Sequence, residues 1–485
     1  MNAERIQFVL FINGLFLAAL AAFMLVPAAA DILSGGGKDA INFTACAVGV
    51  AIVGSALALG FRRPGFRVTN RRTGYLITVS AWMSASACGA LPLYFSSLDI
   101  SYTDALFETV SGLTTSGATV LSGLDTMPKG LLLWRSLLNW IGGVGIIVMA
   151  LSVLPALSVG GMQLFHSESS DISEKPFPKV RQLARVIAVV YISLTLACVI
   201  CMVAAGMPLF DAINNAMATI ATGGFSTKDA SIGFYNSVPI EVVTEIFMMA
   251  GGLPLAFYAV FIVQRGRSRV FDAQIKPFIL VTLVAIALST AWNISQGMTP
   301  SHALRVSAFA VPSVITTTGF VTEDYSAWGS FAIGLYFLLF FIGGCAGSTA
   351  GSIKIFRWQL LVSGMVASLR RMVSPNAVIV TRYQHKPVDD AEMNAVRNFF
   401  FLYLTTFLIL SLAAMATGLD FLTATSAIGQ GMGNVGPGLG PIVGPATNFA
   451  SVPVSAKWLV ILAMLVGRLE LATFYVVLLP SFWRR

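Results

Sequence analysis

Four short glycine-containing segments recur along the chain, each after a mildly apolar stretch, and three of them combine the glycine with threonine or serine. Those stretches are too short to cross about 30 Å of hydrocarbon. Backbone carbonyls can replace the water shell of a monovalent cation without adding fixed charge, and glycine adopts the conformations that turn successive carbonyls toward one point. The pattern therefore predicts a ring of carbonyl ligands. The residues that we expect to form it are Thr115, Ser116 and Gly117; Ala221, Thr222 and Gly223; Thr317, Thr318 and Gly319; and Asn434, Val435 and Gly436.

A simpler interpretation of any one segment is a helix that ends in a glycine cap, followed by a turn. Four such segments at matching places, each followed by an apolar stretch, favour a common site. The fourth, Asn434-Val435-Gly436, is the most similar to Thr-Val-Gly-Tyr-Gly, the filter sequence of potassium channels.

Composition indicates a membrane protein, with lipid as its solvent. The chain is 56% hydrophobic and 11% charged, whereas soluble proteins carry about 25% charged residues. The net charge of +8 comes largely from short basic clusters between apolar stretches, such as Arg370 and Arg371. Such clusters mark cytoplasmic loops by the positive-inside rule, so we expect no nucleic-acid partner.

Ten apolar stretches are long enough to span a bilayer. An even number places both termini on one side, and the arginine clusters make that side the cytoplasm. The predicted spans are 6–28, 41–60, 75–95, 131–154, 186–205, 240–263, 277–292, 331–356 (interrupted), 399–416 and 458–482.

The four segments divide most of the chain into repeats, each reading span, re-entrant pore helix, glycine segment, span. Non-helical backbone at membrane depth is tolerated where it lines a wet cavity, and four pore helices would point their negative ends at one axis. We therefore predict an all-α integral membrane fold with four units around one pore. The predicted boundaries are 1–72 for an N-terminal pair of spans, then 73–165, 166–266, 267–390 and 391–485.

The span 331–356 is interrupted by many small residues. Close helix packing through small residues would explain some of them, but a stretch so rich in glycine and serine predicts a break in the helix. Lys354, at the end of the break, either anchors it or serves only as a positive-inside residue. The other members of interest are Gly343, Gly344, Gly347, Ser348 and Gly351.

Two arginines lie within predicted spans. Arg468 is about ten residues into the last span, where a charge costs at least about 2.5–3.5 kcal/mol. It either pairs with an acidic residue on another helix or faces the pore. Arg135 lies near the outer boundary of its span, so snorkelling or pairing with Glu108 explains it, and we expect no role for it in conduction.

These motifs together resemble the Trk/Ktr/HKT transporters, and within them the TrkH branch. The match covers essentially the whole chain, and its most specific parts are the four glycine segments, the run 131–155, the segment 343–354, Arg468 and the two extra N-terminal spans. In this superfamily, glycine in all four filters is the potassium-permeable pattern. Thr318 departs from the residue expected before the third glycine, which leaves the potassium-to-sodium ratio open.

The resemblance implies further properties. The segment 343–354, with Lys354 and Arg468, would form a gate below the filter. The protein would lie in the bacterial inner membrane, and its pore would also pass Rb⁺. A cytoplasmic TrkA-type nucleotide-binding ring would regulate it, through the loops 163–181, 264–276 and 358–397. The family also forms homodimers.

Two other classes compete with a gated, channel-like potassium uptake protein. A secondary symporter of the same fold, coupled to H⁺ or Na⁺, would coordinate ions with unwound helices at the midplane. A membrane enzyme would need a nucleophile–base set or paired carboxylates, and the sequence offers no such set. Motifs for ATP or dinucleotide binding are also absent, so we expect no cofactor beyond the transported K⁺.

Overall fold

Helices make up nearly all the regular structure in the computed structural model, which describes residues 3–62, 71–153, 180–263, 272–377, 379–384 and 386–484. Strands are confined, within these ranges, to one antiparallel pair, β1 (Arg382–Tyr383) and β2 (Lys386–Pro387). The N-terminal hairpin consists of α1 (Ala3–Leu33) and α2 (Lys38–Gly60). Its helices approach closely because Gly14 and Gly54 face each other's backbone.

The remaining helices form four units that repeat the order span, short helix, span. The first two units comprise α3 (Arg71–Gly89), α4 (Leu91–Tyr94), α5 (Tyr102–Leu113) and α6 (Lys129–Val153), then α7 (Val180–Ala204), α8 (Leu209–Ile220), α9 (Val238–Gly252) and α10 (Leu255–Val263). The last two comprise α11 (Ile275–Ser295), α12 (Pro300–Ile315), α13 (Ser330–Leu339) and α14 (Ile355–Val373), then α15 (Asp390–Met415), α16 (Phe421–Gly433), α17 (Gly440–Val443), α18 (Val454–Arg468), α19 (Leu471–Leu478) and α20 (Pro480–Trp483).

The short helices α5, α8, α12 and α16, here called pore helices, have 12, 12, 16 and 13 residues. Their starts follow local sequence signals: Ser101 and Asp420 accept hydrogen bonds from backbone N–H groups as N-caps, and Pro300 occupies the first turn of α12. Most of their residues are buried, whereas outer helices expose large apolar side chains such as Leu196 and Leu280. The pore helices therefore form the interior, and the apolar outer surface suits lipid.

Each predicted span corresponds to one helix or to an interrupted pair, so the all-α integral membrane prediction is confirmed. Six described helices are long and apolar enough to cross a bilayer, and two bent pairs raise the number to eight. The predicted break in 331–356 is also present, since α13 ends at Leu339 and α14 begins at Ile355.

The prediction of continuous spans at 240–263 and 458–482 was wrong. A bend of 91° separates α9 from α10, and a bend of 109° separates α18 from α19. The first bend follows Gly251-Gly252 and contains Pro254, which lacks a backbone N–H. At the second, Glu470 has a φ of 60°.

Candidate functional site

Each pore helix ends in the same unusual backbone conformation. The residue after the last turn has a positive φ of 53° at Thr115, 52° at Thr222, 58° at Thr317 and 53° at Asn434. Such a conformation is uncommon for residues other than glycine. A second positive φ follows two positions later, always at a glycine: Gly117, Gly224, Gly319 and Gly436.

Hydrogen bonds fix the same register in all four units. The residue between the two positive-φ positions donates its N–H to a carbonyl in the last turn of its own pore helix. These bonds are Ser116 to Ser111 at 2.8 Å, Gly223 to Ala218 at 2.8 Å, Thr318 to Ser313 at 2.9 Å and Val435 to Gln430 at 3.0 Å. Ser116, Gly223, Thr318 and Val435 are therefore structurally equivalent.

This register corrects the sequence prediction in the second unit. We expected Gly223 to match Gly117, but Gly224 occupies that position, and Ala221 is the C-cap of α8. The sequence has two adjacent glycines there, and residue types alone do not distinguish them. Gly224 was thus the one member of the ring that sequence reasoning missed.

The segments that follow the pore helices, residues 115–120, 222–226, 317–321 and 434–439, meet in a closed ring. They are called filter strands below, although they are not paired as β-strands. A Cβ atom added to Gly117 would lie 2.5 Å from the carbonyl oxygen of Gly223, and one added to Gly436 would lie 2.9 Å from that of Ser116. Added to Gly224 or Gly319, it would overlap the corresponding carbonyl of the next strand. Each glycine thus abuts the next unit's equivalent carbonyl, in the order one, two, three, four and back to one.

The ring is lined by neutral groups. The residues predicted as ligands are buried, except for the half-buried Gly117, and none of them carries a charged side chain. The hydroxyl of Thr115 and the Oδ1 of Asn434 have no hydrogen-bond partner among the described residues. Neutral oxygens at the negative ends of four helices can hold a dehydrated monovalent cation.

Residues 340–354, here called the loop, cover the helix end of the ring. Gly351 donates its N–H to the Thr317 hydroxyl at 2.6 Å, and it packs against the Gly433 carbonyl at the end of α16. The Thr349 hydroxyl lies 2.9 Å from the Ile220 carbonyl at the end of α8. The loop thus contacts the pore helices or filter strands of three units.

Hydrogen bonds within the loop and to α9–α10 hold its other predicted members. Ser348 donates to the Cys345 carbonyl, and Lys354 donates to the Ala350 carbonyl. The backbone bonds are Gly343 N–H to Ile353, Ile355 N–H to Gly344, Leu255 N–H to Gly347 and Cys345 N–H to Gly252.

Arg468 is buried at the end of α18, not ten residues into a continuous span. Its Nη1 donates to the Thr349 carbonyl of the loop at 3.0 Å. Among the described residues no carboxylate pairs with Arg468, and its neighbour Glu470 pairs with Arg357 instead. Thr349, which the sequence analysis did not single out, is the residue that connects this arginine to the loop.

Arg135 pairs with Glu108 at 2.7 Å, and both side chains are almost fully buried. Of the two sequence explanations, pairing is confirmed and snorkelling was wrong. The three basic residues within or beside spans thus have different partners. Arg135 pairs with a carboxylate, whereas Lys354 and Arg468 donate to backbone carbonyls of the loop.

The structure describes only part of the loops that are predicted to contact the cytoplasmic nucleotide-binding ring. Most of 163–181 and 264–276 lies outside the described residues. Within 358–397, Arg370 and Arg371 end α14, and the pair β1–β2 precedes α15.

Comparisons with known proteins agree on one family. The family model TrkH, described as a cation transport protein, matches residues 41–484. The chain is 41% identical over 412 residues to the Trk system potassium uptake protein TrkI of Halomonas elongata, covering 85% of this chain and 84% of that protein. It is 38% identical over 483 residues to the Trk system potassium uptake protein TrkH of Escherichia coli, covering 98% of each.

A solved structure agrees with this result. The crystal structure of the potassium transporter TrkH from Vibrio parahaemolyticus matches with a TM-score of 0.91 and 35% identity, and the match covers 100% of both chains. These similarities confirm the resemblance and favour a transporter over an enzyme.

Proposed function

The chain belongs to the TrkH family of cation transport proteins, and on that premise we propose that it takes up K⁺ across the bacterial inner membrane. Potassium uptake is the activity named for the Halomonas and Escherichia relatives. The ion would cross the filter ring as a dehydrated cation, with carbonyl oxygens in place of water. Rb⁺, which is similar in size and charge, would also pass.

The closed contact of the four filter strands carries this proposal. A ring in which every glycine abuts the next unit's carbonyl supports a shared site at which peptide oxygens from four units would face one axis. Pore-helix C-termini add a field that favours cations. The absence of charged side chains among the predicted ligands suits a site from which a monovalent ion can also leave.

The loop and Arg468 would form the gate. The loop is held by Arg468 through the Thr349 carbonyl and by Thr317 through the Gly351 N–H, so it occupies the helix end of the ring. A buried positive charge there opposes the passage of cations. Opening would require these hydrogen bonds to break and the loop to move.

Regulation and assembly extend the proposal on family membership alone. A cytoplasmic TrkA-type nucleotide-binding ring would act on the loops 163–181, 264–276 and 358–397, and two protomers would form a dimer with one pore each. Both termini would be cytoplasmic, since the basic clusters mark that side.

Uptake of ⁸⁶Rb⁺ into liposomes that contain the purified protein tests the function directly. We expect uptake that K⁺ inhibits at lower concentrations than Na⁺. Gly436→Leu should abolish it, because a large side chain there would enter the ring at the Ser116 carbonyl.

Gly418→Leu is the matched control. Gly418 also has a positive φ, of 96°, but nothing lies within 4 Å of an added Cβ. Equal loss of uptake in both variants, or wild-type liposomes no more permeable than empty ones, would contradict the proposal.

A further inference from the structure

The Glu108–Arg135 pair lies directly behind two filter strands and has no part in the conduction pathway proposed above. Both residues are almost fully buried. Two buried charges are costly to maintain unless hydrogen bonds satisfy their remaining polar atoms. The groups that make those bonds therefore indicate what the pair holds in place.

On the arginine side, the partner is the second filter strand. Arg135 Nη1 donates to the carbonyl oxygen of Ser226 at 2.9 Å, and the guanidinium carbon lies 4.2 Å from the centre of the Phe225 ring. Phe225 and Ser226 directly follow Gly224. The Arg135 guanidinium therefore holds the second filter strand just after its ring glycine.

On the glutamate side, the partner is the first filter strand. Glu108 Oε2 accepts the Val120 N–H at 3.0 Å, and the Thr119 hydroxyl lies 2.9 Å from Oε1. Arg135 Nη2 also donates to that hydroxyl at 3.3 Å. Thr119 and Ser226 are equivalent positions, since each lies two residues after the ring glycine (117 to 119 and 224 to 226). The pair thus connects the same position of two adjacent strands.

The fourth unit lacks such a connection. In the first unit, Glu108 lies seven residues before Thr115, the first residue with a positive φ. The residue seven positions before the equivalent Asn434 in the fourth unit is Ala427. The filter strand of the fourth unit is held by neutral bonds, such as Leu439 N–H to the Ser426 hydroxyl at 3.0 Å. A filter strand can therefore be held against its pore helix without an ion pair.

We propose that Glu108 and Arg135 are positioning residues that set the spacing of the first and second filter strands, and thereby the ability of the ring to distinguish K⁺ from Na⁺. This inference rests on the proposed function. A ring that prefers the larger ion must resist contracting around the smaller one. Charge-assisted hydrogen bonds from both strands to one buried pair supply that resistance on this side of the ring.

The test measures thermal unfolding of purified wild-type and variant protein over a range of Rb⁺ and Na⁺ concentrations. An ion that binds the folded state protects it in proportion to its affinity, and protection does not require an open gate. Glu108→Gln should reduce the ratio of the half-protecting Na⁺ and Rb⁺ concentrations roughly tenfold, the ratio that about 1.4 kcal/mol represents.

Thr119→Val is the milder variant, because it keeps the side-chain shape and removes only the hydroxyl between the two charges. It should lower the same ratio by roughly threefold, in line with the loss of one hydrogen bond. The control is Glu241→Gln. It breaks the Arg305–Glu241 pair, also 2.7 Å long, in which Arg305 donates to Glu241 and to Asn236 Oδ1 and to no filter strand in the described part of the chain. It should leave the ratio unchanged.

A purely structural pair would lower the melting temperature without changing the ion ratio. An unchanged ratio in Thr119→Val and in folded Glu108→Gln would overturn the inference while the proposed function stands. If Glu108→Gln does not fold, Thr119→Val alone decides. Wild-type protein that neither ion protects would overturn the proposed function, and the inference with it.

Discussion

The filter ring and the loop touch each other, yet they are held in different ways. Every filter strand is bonded to the end of its own pore helix and abuts a neighbour on each side. The loop exists once, and a few hydrogen bonds join it to the pore helices and filter strands: Thr349 bonds to the end of α8 in the second unit, and Gly351 bonds to Thr317 in its own unit. Four equivalent contacts close the ring, whereas the loop is a single segment without a repeated counterpart.

The helices around the loop support this contrast. It lies next to both bends, through Gly252 at the end of α9 and Arg468 at the end of α18. Element ends are where backbone rotation is most easily absorbed in conformational changes. Changes in the ring should therefore alter or abolish ion binding, while changes in the loop should alter only the rate of passage.

The largest expected effect comes from the ring. Gly319→Ala should reduce ⁸⁶Rb⁺ uptake by on the order of a hundredfold, because its Cβ would overlap the Val435 carbonyl in addition to the roughly 1–2 kcal/mol that a left-handed conformation costs. The control Gly418→Ala carries the conformational cost alone, since its surroundings are open. Similar uptake by the two variants would remove the distinction between the ring and an ordinary turn.

Removing the centre of the loop should have the next largest effect, in the opposite direction. Deletion of residues 346–350 should raise uptake without a partner subunit by on the order of tenfold, a change of about 1.4 kcal/mol. The Na⁺ and K⁺ concentrations that inhibit uptake should keep their ratio, because the ring is intact. Unchanged uptake by folded protein would show that the loop does not obstruct the path.

Arg468→Gln should raise uptake several-fold. The substitution removes a buried positive charge and the bond from Nη1 to the Thr349 carbonyl, and a hydrogen bond from a charged group contributes about 1.5–3 kcal/mol. Arg468→Lys, which keeps the charge, should stay close to wild type. Equal uptake by both variants would mean that the charge does not hold the gate closed.

Thr349→Val should have the smallest effect, a rise of about threefold to fivefold. It removes the hydroxyl that bonds to the Ile220 and Gly251 carbonyls, and one such bond contributes about 1 kcal/mol. Thr349→Ser keeps the hydroxyl and should behave as wild type in the same liposome assay. A serine variant that gains as much as the valine variant would assign the effect to packing instead.

Much of the architecture was predictable because membranes restrict what a chain can do. Long apolar stretches predicted the spans, the glycine segments predicted the ends of the pore helices, and the charge of Arg135 indicated Glu108 as its partner. These features depend on residue types that stand out locally in the sequence.

Other features depend on packing, and sequence did not predict them. Gly223 and Gly224 are identical residues, so only the hydrogen bond from Gly223 to Ala218 fixes their register. The bend before Glu470 occurs in a run that reads as one apolar span. The bond from Arg468 to Thr349 joins two segments far apart in the chain, and no local pattern indicates it.

In the proposed pore, carbonyl oxygens from four filter strands bind K⁺ on one axis. Crystals grown in Rb⁺ would test this binding, because anomalous scattering locates the ion. We predict anomalous peaks on the axis of the ring, in contact with the carbonyl oxygens of Ser116, Gly223, Thr318 and Val435. Rb⁺ peaks found only away from these oxygens, with the ring unoccupied, would contradict it.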